Sequence, residues 1–276
     1  MKDLLFEVDN NIATIILNRP KSLNAFSEEM IDLWISSLEE IRDNDNIYVG
    51  ILTGNGKGFC AGGDIKAMMS GEGFMAKTRG EDSDFISLPL FVKDGLWNKI
   101  QRIPLLMEEI DKPMIAAING AAIGAGLDMA LMCDIRFCSE NAKLGQGYIN
   151  AGIVPGDGGG YYLPRIIGID KALELFWTGK NISGQKAKEI GLITHLVSEE
   201  SLMDEALKFA KQITDGPQEV IKMMKRIVYE SSTMTLKQSL DLVSSFMAIA
   251  VHHPDHKEAI RAMKAKQRPV YKEGSS

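Results

Sequence analysis

The chain has 276 residues, 45% of them hydrophobic, enough to bury a sizeable core as one large domain or two small ones. Its 31 basic residues against 37 acidic ones give a net charge of −6. That balance argues against a general nucleic-acid binder, which shows a basic excess, yet allows a local basic patch for a phosphorylated ligand. The three cysteines, Cys60, Cys133 and Cys138, make no disulfide framework, and the simplest setting is a reducing cytoplasm. No second Cys/His pair stands at zinc-ligand spacing, so no metal is expected. The first residues alternate and carry acids, unlike a secretory leader. No apolar run reaches the ~18 residues of a membrane span.

Residues 4–17 read as two strands broken at Asp9-Asn10-Asn11, a hairpin turn. Ser27 is placed to cap a helix, with Glu28 and Glu29 in its first turn. Met30, Leu33, Trp34, Leu38 and Ile41 then follow helical spacing. Residues 43–46 end that helix and 47–53 return to strand, which predicts a right-handed crossover. Residues 70–95 are the least readable. Gly71, Gly73, Gly80 and a charged patch fit either a surface loop or a flap over a binding pocket. Residues 96–110 read as helical, with a break or kink at Pro104. A strand over 113–121, a buried helix start over 127–132 and a short strand over 135–138 follow. Residues 143–154 lead into a glycine turn over 155–160. From about 199 the pattern is purely helical, and Pro254, Asp255 and His256 open the last helix. We therefore divide the chain into 1–198, a core that carries the site, and 199–276, a helical region.

Two glycine-rich stretches carry the chemistry: GNGKGFCAGGDIK over 54–66 and NGAAIGAGLD over 119–128. Each follows an apolar run read as a strand and leads toward a helix. Such a turn leaves backbone N–H groups unpaired at the positive end of a helix dipole. Two such donors aimed at one point form an oxyanion hole.

These stretches, with IILNRPKSLNA over 15–25 and the tail KAKQRP over 264–269, resemble the crotonase (enoyl-CoA hydratase/isomerase) superfamily across nearly the whole chain. The resemblance implies an α/β fold, a crotonase-type spiral of repeated β-β-α units with a C-terminal helical trimerisation region. It implies an acyl-CoA enzyme that works through a thioester enolate. Coenzyme A then enters as part of the substrate, and no cofactor is bound permanently. The oxyanion donors fall on the N–H groups of Gly63 and Ala125. Ala25, Ala61, Gly62, Asp64 and Ile65 fall in the coenzyme A site. Lys21, Lys66 and Lys266 either meet its phosphates or are solvated surface charges. The implied partners are an acyl-CoA thioester and further copies of the chain, as a homotrimer or a dimer of trimers. Neither nucleic acid nor membrane is implied.

The acid–base positions depart from the resembled pattern. Hydratases of this family carry two glutamates. Asp128 occupies the first position, and GQGYI over 145–149 puts Tyr148 at the second. A tyrosine titrates near pH ~10, so it is a poor base at neutral pH but can donate a proton. Asp157, in the turn PGDGG, is a spare acid, or otherwise an Asx-turn residue. Asp128 has its own plainer reading, as a helix-start dipole partner. Two carboxylates with separated pKa values suit addition of water, whereas a single base suits moving a double bond. Hydration of a 2-enoyl-CoA is the first expectation, with Asp128 as acid/base and Asp157 or Tyr148 as the second group. Double-bond isomerisation, C–C cleavage or decarboxylation on the same enolate, and hydrolysis of the coenzyme A thioester, are the alternatives. A non-catalytic acyl-CoA or RNA-binding relative is the remote one. His195 is expected in packing, and His252, His253 and His256 on the surface. No glycine pattern supports a nicotinamide site.

Overall fold

The computed structural model describes residues 2–64 and 89–271, without the side chains of 89–91. Strands β1 (Leu4–Asp9) and β2 (Ile12–Leu17) form the expected hairpin. Asn10 and Asn11 both take positive φ, 49° and 65°, as a tight two-residue turn requires. Strands β3 (Val49–Gly54), β5 (Met114–Ile118), β7 (Ile135–Ser139) and β10 (His195–Val197) extend β2 in parallel into a six-stranded sheet. Both faces of this sheet are buried, so its strands read as apolar runs. On β5, Met114, Ala116 and Ile118 join the larger core with Trp34, Leu38 and Ile103. Ile115 and Ala117 meet Leu202, Ala206 and Ala210 in a second core. Helix α1 (Glu28–Asp43) fills the β2–β3 crossover, and Ser27 caps it as expected, its Oγ accepting the Met30 N–H at 3.1 Å.

A second sheet holds β4 (Gly58–Cys60), β6 (Ala121–Ile123) and β8 (Lys143–Gly145) in parallel, with β9 (Asn181–Ser183) antiparallel to β8. The single strand expected over 113–121 is instead two strands in two sheets. Gly120 is the crossing point. A methyl group there would lie 2.1 Å from the Lys57 carbonyl oxygen, so only glycine passes.

The pairs β3–β4, β5–β6 and β7–β8 repeat one unit: a strand in the large sheet, then a strand in the small one. Helix α4 (Ala125–Leu131) completes the second unit and α5 (Gly159–Ile167) the third, which is the expected spiral of β-β-α turns. Between β4 and β5 in the chain stand α2 (Pro89–Gly95) and α3 (Arg102–Glu109), joined by a π-helical turn over Leu96–Ile100. The helix expected after Asp64, and most of 70–95, lie outside the described residues. The expected break at Pro104 falls earlier, at the π-helical turn. Pro104 itself stands in the first turn of α3, where its missing N–H costs little.

Helices α6 (Ile169–Thr178) and α7 (Gly184–Glu189) follow α5. His195 stacks on Phe137 with ring centroids 4.3 Å apart, the packing role expected of it. The helical region opens with α8 (Leu202–Thr214), which supplies Leu202, Ala206 and Ala210 to the second core. Helices α9 (Gln218–Ser231), α10 (Leu236–His252) and α11 (Pro254–Ala265) bury only Asp255 and Ala262. They expose Met224, Val228, Leu236, Leu240, Met247 and Met263. His253 Nδ1 accepts the Asp255 N–H and caps α11. Among the described residues no acidic, His or Cys group could hold a metal ion, and no helix is long and apolar enough to cross a membrane.

Candidate active site

The carboxyl ends of β4, β6 and β8 lie side by side, and each strand runs there into a loop. Ligands of parallel sheets gather at such ends. Residues 61–64 follow β4, Gly124 and α4 follow β6, and Gln146, Gly147 and Tyr148 follow β8. Main-chain bonds tie the loops together: Gly124 N–H donates to the Gly145 carbonyl at 2.8 Å, and Phe26 N–H to that of Gly62 at 2.8 Å.

Gly62 has φ 82° and Gly124 φ 54°. A methyl group on Gly62 would lie 2.9 Å from the Ile123 carbonyl oxygen and 3.2 Å from the Ala125 nitrogen. The loop after β4 therefore touches the start of α4. Gly126 permits the approach, since a methyl group there would lie 2.0 Å from the Cys60 carbonyl oxygen. Gly63 and Ala125 thus stand on touching loops, and among the described residues no acceptor takes either N–H.

Asp128 lies in the first turn of α4 and is wholly buried. Its Oδ1 accepts Gln146 Nε2–H at 2.8 Å. Its Oδ2 accepts the Tyr148 hydroxyl at 2.5 Å and the Gly159 N–H, at the start of α5, at 3.0 Å. Any side chain at 159 would displace this carboxylate, because a methyl group there would lie 2.3 Å from Oδ1. The Tyr148 oxygen also lies 3.2 Å from Asp157 Oδ2. Tyr148 and Asp157 are 8% and 7% exposed. The other Asp157 oxygen takes no bond among the described residues.

Burial pushes Asp128 up to about 7, against the pull of its hydrogen bonds and with a push from Asp157. Burial also pushes Asp157 up to about 6. Burial and the two carboxylates drive the Tyr148 phenol well above its usual range. A phenol has one proton. The shorter distance gives it to Asp128, so Asp157 faces the phenol's lone pairs. That contact is favourable while Asp157 holds a proton of its own. The three groups therefore share protons as a unit. Cys60 is nearby but inert. Burial raises its thiol to about 12, and it donates to the Asn24 carbonyl at 3.1 Å.

Asp64 pairs with Arg19 at 3.2 Å, and Arg19 also donates to the Ala25 carbonyl at 2.6 Å. Ala61 N–H donates to the Leu23 carbonyl at 2.9 Å, and Lys21 is exposed in a short turn over Pro20–Ser22. Lys21, Ala25, Ala61, Gly62 and Asp64 thus gather beside the loop after β4. Ile65 and Lys66 lie outside the described residues. Lys266 caps the end of α11, and the tail beyond it meets α8 through Arg268 and Asp215 at 3.3 Å. Within one chain no bond of the described residues brings Lys266 to the loop after β4. Sequence reasoning assigned no role to Gln146, Gly159 or Arg19. All three lie inside recognised motifs, but a donor's target is set by tertiary distance and not by spacing.

The pattern of the enoyl-CoA hydratase/isomerase family matches residues 7–274. Bacillus subtilis YngF is 36% identical over 271 residues, 98% of each chain. The 1,2-epoxyphenylacetyl-CoA isomerase of Escherichia coli is 31% identical, again over 98% of each chain. The crystal structure of enoyl-CoA hydratase from Bacillus anthracis superposes with a TM-score of 0.87 at 30% identity, over 99% of this chain and 100% of that one. The family pattern, the curated relatives and the fold agree, and the chain belongs to the enoyl-CoA hydratase/isomerase family and is an enzyme of this type.

Proposed function

We propose that this enzyme moves a proton on an enoyl-CoA thioester through an oxyanion-held enolate, and that double-bond isomerisation is the reaction its geometry favours. One observation carries the choice. Gln146, Tyr148 and Gly159 occupy the carboxylate of Asp128, while Asp157 keeps an oxygen open beside the same phenol. A single open base suits a proton taken from one carbon and returned to another.

In this reading the Asp157 carboxylate takes a proton from C2 of a 3-enoyl-CoA. The C–H electron pair moves into the thioester, and negative charge gathers on its oxygen. The Gly63 and Ala125 N–H groups receive that oxygen; removing one such donor typically costs about 3–4 kcal/mol of transition-state stabilisation. The proton on Asp157 exchanges with solvent, and Asp157 then delivers a proton to C4 as the double bond shifts to C2–C3. Tyr148 and Asp128 hold the base in register and buffer its charge through the shared proton.

Hydration of a 2-enoyl-CoA is the second reading. It is favoured by two carboxyl groups raised toward neutrality, to about 7 and about 6, so that one can hold a proton while the other activates water. Lys21, Ala25, Ala61, Gly62 and Asp64 carry the coenzyme A proposal, with Ile65, Lys66 and Lys266 of the same or a neighbouring chain. A homotrimer or dimer of trimers, formed through the helical region, belongs to the same proposal.

Trans-3-hexenoyl-CoA and crotonyl-CoA, each incubated in D₂O and in H₂¹⁸O and followed by mass spectrometry, separate the readings. A shifted double bond with deuterium and no ¹⁸O supports isomerisation. Incorporation of ¹⁸O at C3 of crotonyl-CoA as the faster reaction puts hydration first.

A further inference from the structure

We propose that Gln101, at the exit of the π-helical turn, is a positioning residue that holds Asp157 in place through the loop 155–158; this rests on Asp157 being the base. Gln101 Nε2–H donates to the Gly156 carbonyl at 2.7 Å, one residue before Asp157. Leu96 packs on the same spot, where a methyl group on Gly156 would lie 3.5 Å from its Cδ2.

The loop needs such an anchor. It contains Gly156 and Gly158, the latter at φ 108°, and glycine holds its backbone loosely. Among the described residues no main-chain N–H from Val154 to Gly158 finds a main-chain acceptor. Pro155 has none to offer. The Asp157 side chain itself has only the 3.2 Å contact to Tyr148. Tyr148 thus holds the loop from one side and Gln101 from the other.

The π-helical turn explains how Gln101 reaches it. Gln101 N–H bonds the Leu96 carbonyl, five residues back, at 2.9 Å. One residue more per turn rotates everything beyond it by roughly 100° relative to a regular α-helix. Straightening the turn would swing the amide off Gly156. Such turns are rare and recur at functional sites.

The test compares Gln101→Leu, which keeps size and loses the donor, with Gln101→Lys, which restores a donor. The ionisable groups facing Asp157 are Tyr148, Asp128 and Cys60 among the described residues, and all stay in place. With trans-3-hexenoyl-CoA and crotonyl-CoA, Gln101→Leu is expected to lower kcat about 10- to 100-fold with little change in KM. It should also move the acid limb of the kcat/KM profile, while the melting temperature stays near the parent's. Gln101→Lys should regain most of that kcat. Parent-like kcat and pH profile in Gln101→Leu would overturn the proposal, and so would equal losses in the Leu and Lys variants. Asp157→Asn runs alongside as the control. If it turns over like the parent, the assignment of the base fails. If it is inactive while Gln101→Leu is unimpaired, only the role of Gln101 fails.

Discussion

Asp128, Tyr148 and Asp157 form a unit of two carboxyls and one phenol, and its protonation governs both activity and stability. The folded Asp128 keeps its proton up to about pH 7, whereas an unfolded aspartate loses it near pH ~3.9. Its contribution to stability is complete below pH ~4 and is lost as pH rises through about 7, because only the folded state must ionise a buried group. Asp157 acts in the same direction up to about 6. Urea unfolding at pH 5 and pH 8 should therefore show a weaker protein at pH 8. Asp128→Asn should shrink that difference; an undiminished difference would show that Asp128 is not the group responsible. Tyr148→Phe removes the hydroxyl that donates to Asp128 and lies 3.2 Å from Asp157. The Asp128 pKa should rise as its carboxylate loses that donor, and the plateau of the kcat/KM profile should fall. All three residues were legible in the sequence as candidates. Their division of labour was not, because it depends on which oxygens the buried donors already occupy.

At the scale of elements, the site is made by three short parallel strands ending together. Helices were readable from period and caps: α1 and α11 begin where Ser27 and Pro254 predict. Strands β4, β6 and β8 were not, since three residues carry too little period to register. The glycines that let these elements meet were visible, but their partners were not. Gly159→Ala should cut kcat at least ~100-fold while the chain still folds, because its methyl meets the Asp128 carboxylate rather than backbone. Gly126→Ala should act on stability instead. Its methyl would press on the Cys60 carbonyl, at a cost of about 1–3 kcal/mol or more in chemical denaturation.

At the scale of the molecule, helices α9 to α11 leave several large apolar side chains exposed. Met224, Val228, Leu236, Leu240 and Met247 are all more than half exposed, and exposed apolar side chains grouped in one region mark an interaction surface. Light scattering coupled to size exclusion should give a trimer or hexamer, and a charged residue at Leu240 should lower that mass. A monomeric parent would refute the assembly. Family and spiral were legible because landmarks recur in order along the chain, from Asn18-Arg19-Pro20 to the tail. Choice of reaction was not, since it turns on one open carboxylate oxygen in a buried group.

The most direct measurement is exchange of C2 hydrogen in trans-3-hexenoyl-CoA, followed in D₂O by mass spectrometry for the parent and for Asp157→Asn. The parent should take up deuterium and shift the double bond, and the variant should do so about 10²- to 10⁴-fold more slowly. Equal rates in the two proteins would contradict Asp157 as the base.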